Sequence, residues 1–127
     1  VNNRVLAPMI RRICDRTFNA ITVDGDTSTN DTLLVLASGA TVDELDAKDL
    51  ASLEAALHAV IENLAKQVAA DGEGATRLLQ IEVEGTPDET TARLLARGAC
   101  QSSLFKCSVL AGEPGGWGRL CAAIGQH

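Results

Sequence analysis

Phe18-Asn19-Ala20-Ile21-Thr22-Val23-Asp24-Gly25-Asp26-Thr27-Ser28-Thr29-Asn30-Asp31-Thr32 begins apolar, and from Asp24 onward holds only small polar residues and one glycine. Leu33-Leu34-Val35-Leu36-Ala37 follows at once and is closed by Ser38-Gly39. Ile21 and Val23 suit a short strand, and Asp24-Gly25-Asp26 favours a turn. The next six residues offer hydroxyl, carboxylate and amide groups that bond their own backbone, which gives a rigid loop. The same groups could also line or buttress a polar site. The apolar run at 33–37 reads as a strand covered on both faces. Strand, polar loop, strand is the kernel of the expected fold.

Upstream, Val5, Leu6, Met9, Ile10 and Ile13 recur at helical spacing opposite Arg11, Arg12, Asp15 and Arg16. Pro8 belongs in a first turn, so the helix is expected to start near it. Downstream, residues 40–48 read as a surface connection. A long helix over 49–70 then presents Leu50, Leu53, Leu57, Val60, Ile61, Leu64 and Val68 on one face, with Asp49 as cap. His58 on this helix has no histidine or cysteine at ligand spacing and reads as a surface residue.

The helix stops in Asp71-Gly72-Glu73-Gly74-Ala75-Thr76, after which Leu79, Ile81 and Val83 alternate with Gln80, Glu82 and Glu84 as in a half-buried strand. Two glycines around a carboxylate let the backbone turn and come close to a ligand, so Glu73 can be aimed from a helix–strand junction. A plain helix terminator with an exposed acid is the competing reading. Thr86-Pro87-Asp88-Glu89 reads as a helix start with Thr86 as cap. Residues 104–110 read as a last strand with Lys106 facing away, and a final helix would pack Trp117, Leu120, Cys121 and Ile124. The loop Gly112-Glu113-Pro114-Gly115-Gly116 lacks the spacing and lysine of a phosphate-binding loop. Helices alternating with strands predict an α/β fold, a mixed β-sheet layered with helices.

At 127 residues and 46% hydrophobic, the chain fits one domain, residues 1–127, able to bury a core. A net charge of −6 leaves no broad basic surface, so nucleic acid and anionic membranes are excluded as partners. No apolar run is long enough to span a bilayer, and no signal-peptide pattern opens the chain. Cys14, Cys100, Cys107 and Cys121 have no zinc-site spacing and read as small buried hydrophobes of a reducing cytoplasm. Aromatic content of 2% is low for a self-sufficient core and points to packing supplied from elsewhere. An EF-hand loop counted from Asp24 would place Thr29 where glycine is required and Val35 where the bidentate glutamate is required. No metal site is therefore assigned, although oxygen ligands in another geometry remain a minor alternative at 24–31, and no cofactor is expected.

Three ordered stretches carry a resemblance. The segment from Phe18 to Thr32, the segment Asp71-Gly72-Glu73-Gly74-Ala75-Thr76, and Trp117-Gly118-Arg119 with Ala122-Ala123 are similar to signatures of the ornithine acetyltransferase family, also called glutamate N-acetyltransferase. The likeness runs from about Ile10 to Gly125 and departs where the family has Asp-Pro-Asn before Trp-Gly-Arg: here Glu113-Pro114-Gly115-Gly116 stands.

The resemblance implies acetyl transfer from N-acetylornithine to glutamate in arginine biosynthesis, through an acetyl-threonine intermediate. It implies that Glu73 contacts the amino-acid substrate, a sensible partner for an ammonium group. The family cleaves itself once, and the new N-terminal threonine is the nucleophile. Residue 1 here is valine. The nucleophile is accordingly expected roughly ten residues upstream, so that no catalytic residue lies in this chain. The chain would then be the middle of the C-terminal (β) subunit, truncated at both ends, with the preceding α subunit and a second β copy as partners in the cytoplasm. The alternative is a non-catalytic relative that keeps the scaffold as a binding or regulatory module.

Overall fold

The computed structural model describes residues 1–40, 44–112 and 116–126. Its elements in chain order are α1 (Asn3–Arg16), a 3-10 turn (Phe18–Ala20), α2 (Ala47–Ala70), α3 (Glu89–Gln101), α4 (Ser103–Ala111) and α5 (Gly116–Ile124). The chain divides into two compact units, one of Val1–Ile21 with Thr27–Val68 and one of Thr22–Asp26 with Ala69–His127.

The expected mixed β-sheet is not borne out: among the described residues there is no strand. Two physical reasons account for this. Residues 33–36 and 79–84 do alternate between half-buried and exposed side chains, as the period-two pattern implies. A strand is defined by a partner's hydrogen bonds, however, and no described segment pairs with either stretch. Leu34 and Leu36 in consequence stand 72% and 84% exposed. Residues 104–110 fail differently, for they lie within α4. A short apolar run has no period that separates a buried strand from a helix, and Ser102, whose Oγ accepts from Phe105 N at 3.2 Å, decides for the helix by capping it.

In the first unit, α1 starts at Asn3, five residues ahead of Pro8. Asn2 caps it by accepting from Arg4 N at 2.9 Å, and the helix tolerates the proline inside it. Met9, Ile13 and Ile61 form the buried centre, with Ile10, Phe18, Leu33, Leu50, Leu53 and Leu57 packed around it. Arg12 reaches Glu54 on α2 through Nε at 3.1 Å and Nη2 at 2.9 and 3.0 Å. Both groups remain solvated, so the pair adds at most about 1 kcal/mol to the apolar contact beside it. The cap of α2 is Asp46, not Asp49: its carboxylate accepts from Asp49 N at 2.7 Å. The apolar face of α2 is covered toward its start, while Val60, Leu64 and Val68 are exposed. His58 lies at the surface, 3.7 Å from Glu62.

In the second unit, α3, α4 and α5 pack on one another through small residues. Gly98, Ala99, Ser108 and Ala123 are buried, with Phe105 as the one buried aromatic side chain. A β-carbon on Gly116 would stand 2.8 Å from Ser108 Oγ, so α5 starts close against α4 because residue 116 has no side chain. Backbones this close need no large rings to fill the space between them, which explains a core with few aromatics. Trp117 is 73% exposed, and α5 buries Ala123 instead of the expected tryptophan face. The cap of α3 is Asp88, whose Oδ1 accepts from Thr91 N at 2.8 Å. Thr86, the expected cap, donates to Asp88 O. The expected connection at 40–48 includes 41–43, and the glycine-rich loop includes 113–115, all outside the described residues.

Cys14 and Cys100 are half-buried, whereas Cys107 and Cys121 are exposed rather than in the core. Burial pushes the thiols of Cys14 and Cys100 above the usual cysteine range, aided at Cys14 by Asp15 and opposed at Cys100 by the Lys106 charge. Alkylation at neutral pH should therefore label Cys107 and Cys121 first, as read by peptide mass, with Cys14 and Cys100 reacting slowly. Bonds from Thr91 hold the Asp88 carboxyl below the usual carboxylate range. Its stabilisation is complete above the unfolded-state pKa of about 4 and is lost as pH falls through the lower folded value. Asp88→Ala should lower the denaturant midpoint at neutral pH and Asp88→Asn much less, and the gap between wild type and Asp88→Ala should narrow below about pH 4.

Candidate functional site

Helix α2 ends at Ala70, and the chain reverses at once in the Asp71-Gly72-Glu73-Gly74 stretch. Ala75 N donates to Gly72 O at 2.8 Å, closing a four-residue turn over 72–75. Gly74, its third residue, has φ +70°, the type II geometry that glycine occupies without strain. Glu73 takes the second position, at the outer corner. Its side chain is exposed and makes no hydrogen bond or ion pair among the described residues. A carboxylate so placed keeps its acceptor capacity for a cationic group from outside.

The two glycines play different parts. Gly72 has an ordinary backbone, and a β-carbon there would meet Ala69 O at 3.5 Å, Val23 Cγ1 at 3.6 Å and Ala75 Cβ at 3.8 Å, all van der Waals contacts. Gly72 marks where Val23 comes alongside the turn. Gly74 faces open space, and only its positive φ demands glycine.

Within the second unit, α4 is bonded both to the segment that carries Val23 and to the segment that follows the turn. Lys106 Nζ donates to Val23 O at 2.6 Å. Arg77, four residues beyond Glu73, donates from Nη1 to Val109 O at 2.9 Å. Neither bond was legible in the sequence. The strand expected at 104–110 turns Lys106 to its far face, and the one signal in the sequence is a single cation inside that apolar run.

The polar loop satisfies itself. Asp26 N donates to Asp24 Oδ1 at 2.8 Å; in the other unit, Asn30 N and Asp31 N donate to Ser28 Oγ at 3.1 and 3.0 Å. Among the described residues, no three His, Cys, Asp or Glu side chains converge as metal ligands would. A pocket of about 290 Å³, lined among others by Gly98, Ser102, Leu104, Arg119 and Ala123, lies elsewhere in the second unit and does not include Glu73. Among the described residues, no helix is long and apolar enough to cross a membrane.

A left-handed φ costs a side-chain-bearing residue about 1 kcal/mol or more. Gly74→Ala should therefore lower stability by about that much, while Gly72→Ala should be close to neutral. Urea midpoints at constant slope check both, and equal losses at the two sites would contradict the assigned turn.

The ArgJ family profile matches residues 1–127. The arginine biosynthesis bifunctional protein ArgJ of Prochlorococcus marinus (strain NATL2A) is 49% identical over 126 residues, 99% of this chain and 29% of that protein. The chloroplastic protein of the same name from Physcomitrium patens is 46% identical over 129 residues, 98% of this chain and 25% of that protein. The crystal structure of arginine biosynthesis bifunctional protein ArgJ from Bacillus halodurans superposes with a TM-score of 0.90 at 42% identity, covering 98% of this chain and 60% of that one. The chain thus spans less than a third of the length of these two curated relatives. Matched in sequence by the profile and in fold by a solved relative, the chain belongs to the ArgJ family.

Proposed function

We propose that this chain is part of the β subunit of a glutamate N-acetyltransferase, in which Glu73 receives the ammonium group of N-acetylornithine. Family membership and the relatives' names support a place in arginine biosynthesis. The observation that carries the site is the Glu73 carboxylate, exposed at the corner of a fixed turn and bonded to no side chain of its own unit. N-acetylornithine is acylated on its α-nitrogen, so its positive charge sits at the far end of the side chain. A carboxylate that meets that charge orients the acetyl group at the opposite end of the molecule.

In this reading the nucleophile is a threonine outside the chain. Its hydroxyl oxygen attacks the acetyl carbonyl, the amide C–N bond breaks, and ornithine leaves with its amine reprotonated. The amine of glutamate then attacks the acetyl-threonine ester, forming N-acetylglutamate and returning the hydroxyl. Glu73 takes no part in bond making. It binds and orients, and the α subunit and a second β copy complete the pocket in a cytoplasmic assembly.

The test is steady-state kinetics of the complete, self-cleaved protein. Glu73→Ala removes one charge-assisted contact and should raise KM for N-acetylornithine about 10-fold or more, with autocleavage unharmed. Glu73→Gln, which keeps the shape without the charge, should fall between the two. Unchanged KM in both variants would remove Glu73 from the site.

A further inference from the structure

We infer that Lys106, with Arg77, is a positioning residue that holds the Glu73 turn in its substrate-binding place; the inference rests on the reading of Glu73 above. The turn has little of its own to hold it. Its one internal hydrogen bond joins Ala75 N to Gly72 O, and the Glu73 side chain makes none among the described residues. Beside it lies Val23, whose Cγ1 would stand 3.6 Å from a β-carbon placed on Gly72.

The segment that carries Val23 is itself poorly anchored. Val23 is 52% exposed, and Thr22 Oγ1 is buried without a hydrogen-bond partner among the described residues. Among the described residues Asp24 Oδ1 accepts only from Asp26 N, within the segment. Among the described residues, the bond that fastens 22–26 from outside is Lys106 Nζ to Val23 O, at 2.6 Å across 83 positions of sequence. On the other side of the turn, Arg77 Nη1 reaches Val109 O across 32 positions. Both ties end on α4, which is fixed in turn by its Ser102 cap and by the Gly116 approach of α5. One short helix thus holds the turn from before and after.

The chemistry of the two ties is consistent with positioning. Each is a cation donating to a backbone carbonyl, not to a carboxylate, and neither Lys106 nor Arg77 forms an ion pair among the described residues. Hydrogen bonds from charged donors are stronger than neutral ones, and here they constrain backbone without neutralising an acid. Neither tie occupies the Glu73 carboxylate.

The experiment compares Lys106→Met, Lys106→Arg and Arg77→Met with wild type and Glu73→Ala in the complete, self-cleaved protein. Methionine keeps the apolar stem and removes the donor, whereas arginine retains a donor that reaches a carbonyl. Lys106→Met and Arg77→Met should each raise KM for N-acetylornithine about three- to tenfold with kcat little changed, and Lys106→Arg should recover most of the loss. A merely structural role would lower the amount of active protein, and so apparent kcat, and leave KM where it was. Arg77→Met gives an independent reading should Lys106→Met fail to fold. If Glu73→Ala raises KM while Lys106→Met and Arg77→Met do not, the positioning role is overturned and the Glu73 site stands. If none of them moves KM, both fall.

Discussion

The hydrogen bond from Ala75 N to Gly72 O, made possible by the positive φ of Gly74, is the constraint on which the proposed site depends. It stops a 24-residue helix within a few residues and leaves one carboxylate at the corner of the reversal. Without the left-handed residue the turn opens, and Glu73 becomes one more acid on a helix end. With it, the direction of the side chain is set by backbone geometry. The polar residues of 24–32, which attract attention first in the sequence, spend their hydrogen bonds on each other.

The second unit shows how a chain poor in aromatics can still pack. Its three helices meet through Gly98, Ala99, Ser108, Gly116 and Ala123, so backbone and small side chains replace large rings. The first unit packs conventionally, with Met9 and Ile13 of α1 against Ile61 of α2. Several large apolar side chains remain outside both cores, Leu34, Leu36 and Trp117 among them.

Helices were legible where the apolar period was long. The helix expected over 49–70 differs from α2 only at its start, where Asp46 caps in place of Asp49. Strands were not legible, because a strand is a relation between two segments and the alternation at 79–84 records only one of them. Burial there follows the pattern, and the ladder is absent among the described residues. The run at 104–110 is too short for its period to separate strand from helix, and the hydroxyl cap at Ser102 decides for the helix. The position of Glu73 between two glycines was visible in the sequence. The difference between those glycines, and the two cation-to-carbonyl ties to α4, arise from contacts between residues far apart in the chain.

The central claim is that an acid held by backbone geometry meets a cationic substrate. A crystal structure of the complete protein with N-acetylornithine bound tests it most directly. The account predicts a Glu73 carboxylate oxygen within about 3 Å of the substrate's ammonium nitrogen, with Gly74 still at positive φ. A complex in which that ammonium is met by other groups while Glu73 stays in solvent would contradict it.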